Sequence, residues 1–190
     1  MRILKALKNW KLKNKLAGNG LLYVCLATAA LGIHMLYRCG TVQQLLFILK
    51  PVTFIVTKAL GMAFHFEPEI GFYNQEAYIV INKTCAGTSF WMTIFCMLGF
   101  SILPRIKGIF KKAASFFAIF VLSYGMTIIA NASRIVVAIK VLELGISPTG
   151  ASERLIHQSI GVLVYCCYLW IIYIIFSKWM RKEGDYEKII

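Results

Sequence analysis

Four stretches of the chain are apolar on every side rather than along one stripe: residues 20–37, 88–103, 113–132 and 156–176. A bilayer core about 30 Å thick needs roughly 20 such residues in a helix, so each run predicts a membrane-spanning helix. Residues 42–64 are apolar in two shorter pieces separated by Lys50, Pro51 and Lys58. A lysine near a bilayer centre costs about 2.5–3.5 kcal/mol, and proline removes a helical donor. That segment is therefore expected to lie along the interface or to re-enter, its lysine stems reaching outward. In residues 62–82, Phe64, Phe66, Phe72, Tyr73 and Tyr78 mix with Glu67, Glu69 and Glu76, while Pro68, Gly71 and Asn74 supply turn chemistry. A short extracytoplasmic hairpin or capping loop is the expectation. The fold class is thus an all-α polytopic membrane protein of about four transmembrane helices. With no internal repeat or linker, it forms a single domain over 1–190, comprising a basic cytoplasmic N-terminus (1–19), a membrane core (20–176) and a cytoplasmic tail (177–190).

Composition agrees with the pattern. Hydrophobic residues make up 59% of the chain and charged ones 15%, too few charges to cover a soluble fold, for which roughly 25% is usual. The net charge of +13 carries no nucleic-acid recognition motif with it, so no nucleic-acid partner is expected. Positive charge instead retains loops in the cytoplasm. If segment 42–64 does not cross, 14 of the 21 basic residues fall on one side, in the N-terminus, the loop 104–112 and the tail. Both termini are accordingly expected in the cytoplasm. The first run is read as an uncleaved anchor because it continues past Ala27, Ala29 and Ala30. The six cysteines include no Cys-x-x-Cys pair, which argues against a zinc ribbon, and most lie in apolar runs.

This topology brings three chemically capable side chains to one level, at the outer ends of three crossings. Cys85 precedes the helix that starts near Thr88, Arg134 stands two residues past the run 113–132, and His157 is one residue into the last run. A thiolate is the reactive form of cysteine and is favoured beside a helix N-terminus. An imidazole can take the thiol proton and later give it to a leaving amine. A guanidinium can stabilise an oxyanion or dock a carboxylate bidentately. Such parts suit amide cleavage through a thioacyl intermediate. Asn131, three residues before Arg134 on one helical face, could orient substrate or the arginine, and Glu153, four before His157, could orient the imidazole. Gly161, one turn after His157, permits close helix contact.

Each residue also has a plainer reading. Cys85 could be a small buried residue or pair with Cys39, His157 a hydrogen-bonded structural histidine, Arg134 a contact to membrane-lipid head groups, and Glu153 an exposed loop carboxylate. A metal site at Cys85 and His157 would have two ligands where structural zinc takes four, so neither metal nor other cofactor is expected.

The ordered motifs Cys85-Ala86-Gly87, Asn131-Ala132-Ser133-Arg134 and His157-Gln158-Ser159-Ile160-Gly161 resemble those of the exosortase/archaeosortase family, and the short chain resembles its exosortase K branch. The resemblance covers residues 45–176. It implies a membrane cysteine transpeptidase of the prokaryotic cytoplasmic membrane that acts on the outer face. Its partners would be exported proteins whose C-terminal sorting signal combines a short motif, a transmembrane helix and a basic cluster. By this resemblance Cys85 is the nucleophile, Arg134 the stabiliser or clamp and His157 the proton-transfer residue. Many relatives are longer, so substrate recognition is the part least covered. The competing expectation is a non-enzymatic membrane protein, a small transporter or an envelope-assembly factor.

Overall fold

Apolar runs without internal breakers become helices, since only a helix satisfies its own backbone donors in lipid. The computed structural model describes the backbone of residues 2–144 and 153–186, and the side chains of 20–144 and 158–178. It contains α1 (Arg2–Cys39), α2 (Leu46–Leu60), α3 (Thr88–Ile102), α4 (Ile109–Glu143) and α5 (Glu153–Tyr186). Between α2 and α3 lie β1 (His65–Glu67), β2 (Gly71–Asn74) and β3 (Ile79–Ile81), then a 3-10 turn at Lys83–Cys85. Four stretches are long and apolar enough to cross a membrane: Gly20–Cys39, Lys83–Arg105, Ile109–Glu143 and Gln158–Lys178. Their outward side chains are large and apolar, Leu21, Phe117, Leu163 and Trp170 among them. The protein is membrane-embedded, with lipid covering these surfaces.

Two helix ends differ from the expectation. The third crossing does not stop at residue 132; α4 continues to Glu143. Gly108, at φ +92°, precedes its start, and from residue 126 to 144 the sequence contains neither glycine nor proline, so one arginine in an apolar run does not end the helix. At 1.5 Å per residue α4 is about 52 Å long, well beyond the hydrocarbon core. Arg134 is therefore inside α4, not beyond it. Likewise α5 begins at Glu153, which puts His157 in the second turn of the backbone helix.

The 15 residues of α2 make it shorter than any of the four candidate crossings. It buries Ile48, Leu49, Val52, Thr53 and Val56 along one stripe. Phe47, Lys50, Phe54 and Lys58 occupy the opposite, exposed face, where the Lys58 ammonium lies 5.9 Å from the Phe54 ring centre.

The expected hairpin or loop over 62–82 is a three-stranded antiparallel meander in the order β1-β2-β3. Phe66 pairs with Phe72, and Phe72 in turn with Ile81. Asn74 ties the last residue of the middle strand to its surroundings: its Nδ2 donates to the Ala63 carbonyl at 2.7 Å, ahead of β1, and its Oδ1 accepts from the Ala77 amide at 2.7 Å in the turn to β3. Gly71 is required twice, by φ +113° and because a Cβ there would sit 2.5 Å from the Ile81 carbonyl oxygen.

The chain divides into two compact units. The first contains α1, α3 and α4 through Thr127. In it, Gly99 admits Leu26, whose Cδ2 would lie 2.5 Å from a Cβ at that position. The Trp91 indole donates to Ser123 Oγ at 3.1 Å, and Phe95 meets the edges of Phe116 and Phe120. The second unit contains α2, the sheet, the Lys83–Cys85 turn, α4 from Ile128 and α5.

Candidate active site

The second unit holds Cys85 by its backbone. Asn82 ends the extended segment after β3, and its Oδ1 accepts from the Thr84 amide at 3.0 Å and the Thr84 hydroxyl at 2.7 Å. The Cys85 amide donates to the Asn82 carbonyl at 2.9 Å, which closes the 3-10 turn. Cys85 is buried and its sulfur lies 4.0 Å from Thr84 Oγ1. The smallness of the next two residues has a local reason: Ala86 is fully buried, and Gly87 adopts φ +66° immediately before α3, a conformation that disfavours a side chain.

The Cys85 carbonyl accepts a hydrogen bond from Asn131 Nδ2 on α4. Asn131 Oδ1 in turn accepts from the Tyr165 hydroxyl on α5 at 2.9 Å, and that hydroxyl accepts from Arg134 Nη1 at 3.3 Å. Arg134 also stacks over the Tyr165 ring, with its guanidinium carbon 5.4 Å from the ring centre. Residues 131 and 134 of α4 thus face 165 and 161 of α5, so the two helices are antiparallel here. Gly161, Tyr165 and Tyr168 fall at helical spacing on α5; Tyr168 Oη lies 2.8 Å from Ser133 Oγ.

Of the five residues singled out from the sequence, Cys85, Asn131 and Arg134 belong to one hydrogen-bonded cluster. Asn131 is fully buried, and each end of its amide bonds a protein group, the Cys85 carbonyl on one side and the Tyr165 hydroxyl on the other. Its link to Arg134 runs through Tyr165. Arg134 is half-buried, and its Nε is buried without a hydrogen-bond partner. The backbones of Glu153 and His157 belong to α5, but their side chains lie outside the described residues. His157 is four residues, one turn, ahead of Gly161 along that helix. Cys39 and Cys85 are both free thiols.

Tyr165 was not among the residues selected from sequence. A signal was present, since a tyrosine inside a spanning helix carries a hydroxyl that must find a partner in the protein.

Chemically, the cluster provides a thiol on a backbone fixed at both its N–H and its C=O, and a guanidinium held on an aromatic face with part of its donor fork uncommitted. No family model, curated protein or solved structure matches the chain.

Proposed function

We propose that the protein is an exosortase-like cysteine transpeptidase that cleaves a C-terminal sorting signal of exported surface proteins. The observation that carries the reading is the hydrogen-bonded path from the buried Cys85 turn to Arg134, built from three separate elements inside a lipid-facing fold. Polar groups buried in a membrane protein are costly, and such groups commonly mark function.

In this reading the Cys85 thiol passes its proton to the His157 imidazole as sulfur attacks the scissile carbonyl carbon. Arg134 stabilises the resulting oxyanion or clamps a substrate carboxylate. The C–N bond then breaks, the imidazolium returns its proton to the leaving amine, and a thioacyl enzyme remains. An acceptor amine or water attacks that thioester and regenerates the thiol. The site faces outward and both termini face the cytoplasm, as the distribution of basic residues requires under the positive-inside rule. Measured from the inner end of α4, Arg134 stands about 37 Å along the helix, farther than the hydrocarbon core is thick. α2 lies along the outer interface, its lysines directed to head groups.

The deciding experiment is Cys85→Ala with a co-expressed, epitope-tagged substrate carrying a sorting signal. Processing should disappear while the variant stays in the membrane at wild-type abundance. Undiminished processing, or tolerance of Cys85→Ala with a transport defect elsewhere, would assign the chain to the non-enzymatic class.

A further inference from the structure

We propose that Tyr165 is a positioning residue that orients Arg134 and, through Asn131, the carbonyl side of Cys85; its place in catalysis rests on the transpeptidase reading above. The hydroxyl has two engagements of opposite kind. It accepts from Arg134 Nη1 at 3.3 Å and donates to Asn131 Oδ1 at 2.9 Å, while Asn131 Nδ2 donates to the Cys85 carbonyl. The ring beneath the guanidinium, 5.4 Å from its central carbon, supplies a second restraint on the same side chain. Nη1 is bonded to Tyr165, while Nε and Nη2 lie 2.5 and 3.2 Å from where a Cβ of Gly161 would stand, so α5 bounds the guanidinium on two sides. Hydrogen bonds in series polarise one another, so loss of the Tyr165 hydroxyl removes its bonds to Arg134 and Asn131 and weakens the remaining bond from Asn131 to the Cys85 carbonyl.

Tyr168 provides an internal control. It lies on the same helix, three residues on, and its hydroxyl bonds across the same α4–α5 seam, but to Ser133, which has no bond to Cys85 or Arg134. A role limited to holding the two helices together would make Tyr165→Phe and Tyr168→Phe equivalent.

The test uses the full chain reconstituted in lipid bilayers, with carbonyl-13C cysteine and 15N alanine. Cys85-Ala86 is the one Cys-Ala pair in the sequence, so a carbonyl–nitrogen correlation spectrum reports that carbonyl alone. Tyr165→Phe should move the Cys85 carbonyl upfield, as expected for a weaker hydrogen bond, and Tyr168→Phe should leave it in place. In the processing assay Tyr165→Phe should lower turnover at least tenfold, with Tyr168→Phe near wild type. An unmoved Cys85 signal in Tyr165→Phe, or equal movement in both variants, overturns the positioning role. That spectroscopic arm needs no substrate. If Cys85→Ala still processes, the transpeptidase reading fails while the spectrum continues to decide how Cys85 is held.

Discussion

The Arg134 guanidinium lies directly on Gly161: a Cβ at that glycine would sit 2.5 Å from Nε and 2.9 Å from the central carbon. No side chain, even a methyl, fits between the arginine and the α5 backbone. The glycine thereby does more than let two helices approach. It shapes the floor of a charged group, and it explains why Nε, covered by backbone, is left without an acceptor.

Gly161→Ala should therefore displace Arg134 and loosen the α4–α5 seam. Overpacking of this kind costs about 1–3 kcal/mol. A lowered thermal midpoint in detergent and at least tenfold slower processing are expected, and wild-type values in both would mean that Arg134 has another resting place.

Arg134→Lys keeps the charge but loses the planar fork that bonds Tyr165 and stacks on its ring. Turnover should fall at least tenfold with little change in membrane abundance, because an ammonium cannot reproduce both contacts. Equal turnover would reduce the role of Arg134 to charge alone.

Asn131→Leu strips the Cys85 carbonyl and the Tyr165 hydroxyl of partners at one stroke. Each unsatisfied buried group costs about 1–3 kcal/mol, so this variant should be among the least stable of the set. Asn131→Asp keeps an acceptor for Tyr165 but, when ionised, has no donor for Cys85; its Cys85 carbonyl signal should move upfield even where the protein folds.

His157→Ala should abolish processing while the Cys85 carbonyl signal keeps its wild-type position, since His157 is expected to move protons rather than to hold Cys85. Processing at the wild-type rate would remove it from the mechanism.

Gly71→Ala tests the sheet that leads into the site. The substitution adds an unfavourable φ to a contact with the Ile81 carbonyl, and it should destabilise the protein by more than the roughly 1 kcal/mol typical of a conformational penalty alone. A thermal melt in detergent with an unchanged midpoint would show that β2 and β3 can separate without cost.

Cys85 before α3, and Asn131 and Arg134 on one face of a crossing, were legible because spacing and apolar pattern determine them. Gly161 was legible as a point of close contact, but its neighbour was not. Tyr165 stayed hidden because a hydroxyl within an apolar run looks like any interfacial tyrosine until the facing helix is known. The apolar run ends at residue 132, but α4 continues to Glu143 because the sequence holds neither glycine nor proline from residue 126 to 144 and a single arginine does not stop a helix. The third strand was missed since Phe64 to Ile81 carries no clean alternation, and Asn74 works through bonds to backbone that sequence does not display.

Finally, the bonds from Arg134 to Cys85 all give in the same direction. A guanidinium has only donors and a backbone carbonyl only accepts, so the hydroxyl of Tyr165 and the amide of Asn131 each have a single orientation that satisfies both neighbours. The network has no mirror arrangement to exchange with. Any group that reaches this cluster meets a single prearranged pattern of donors and acceptors.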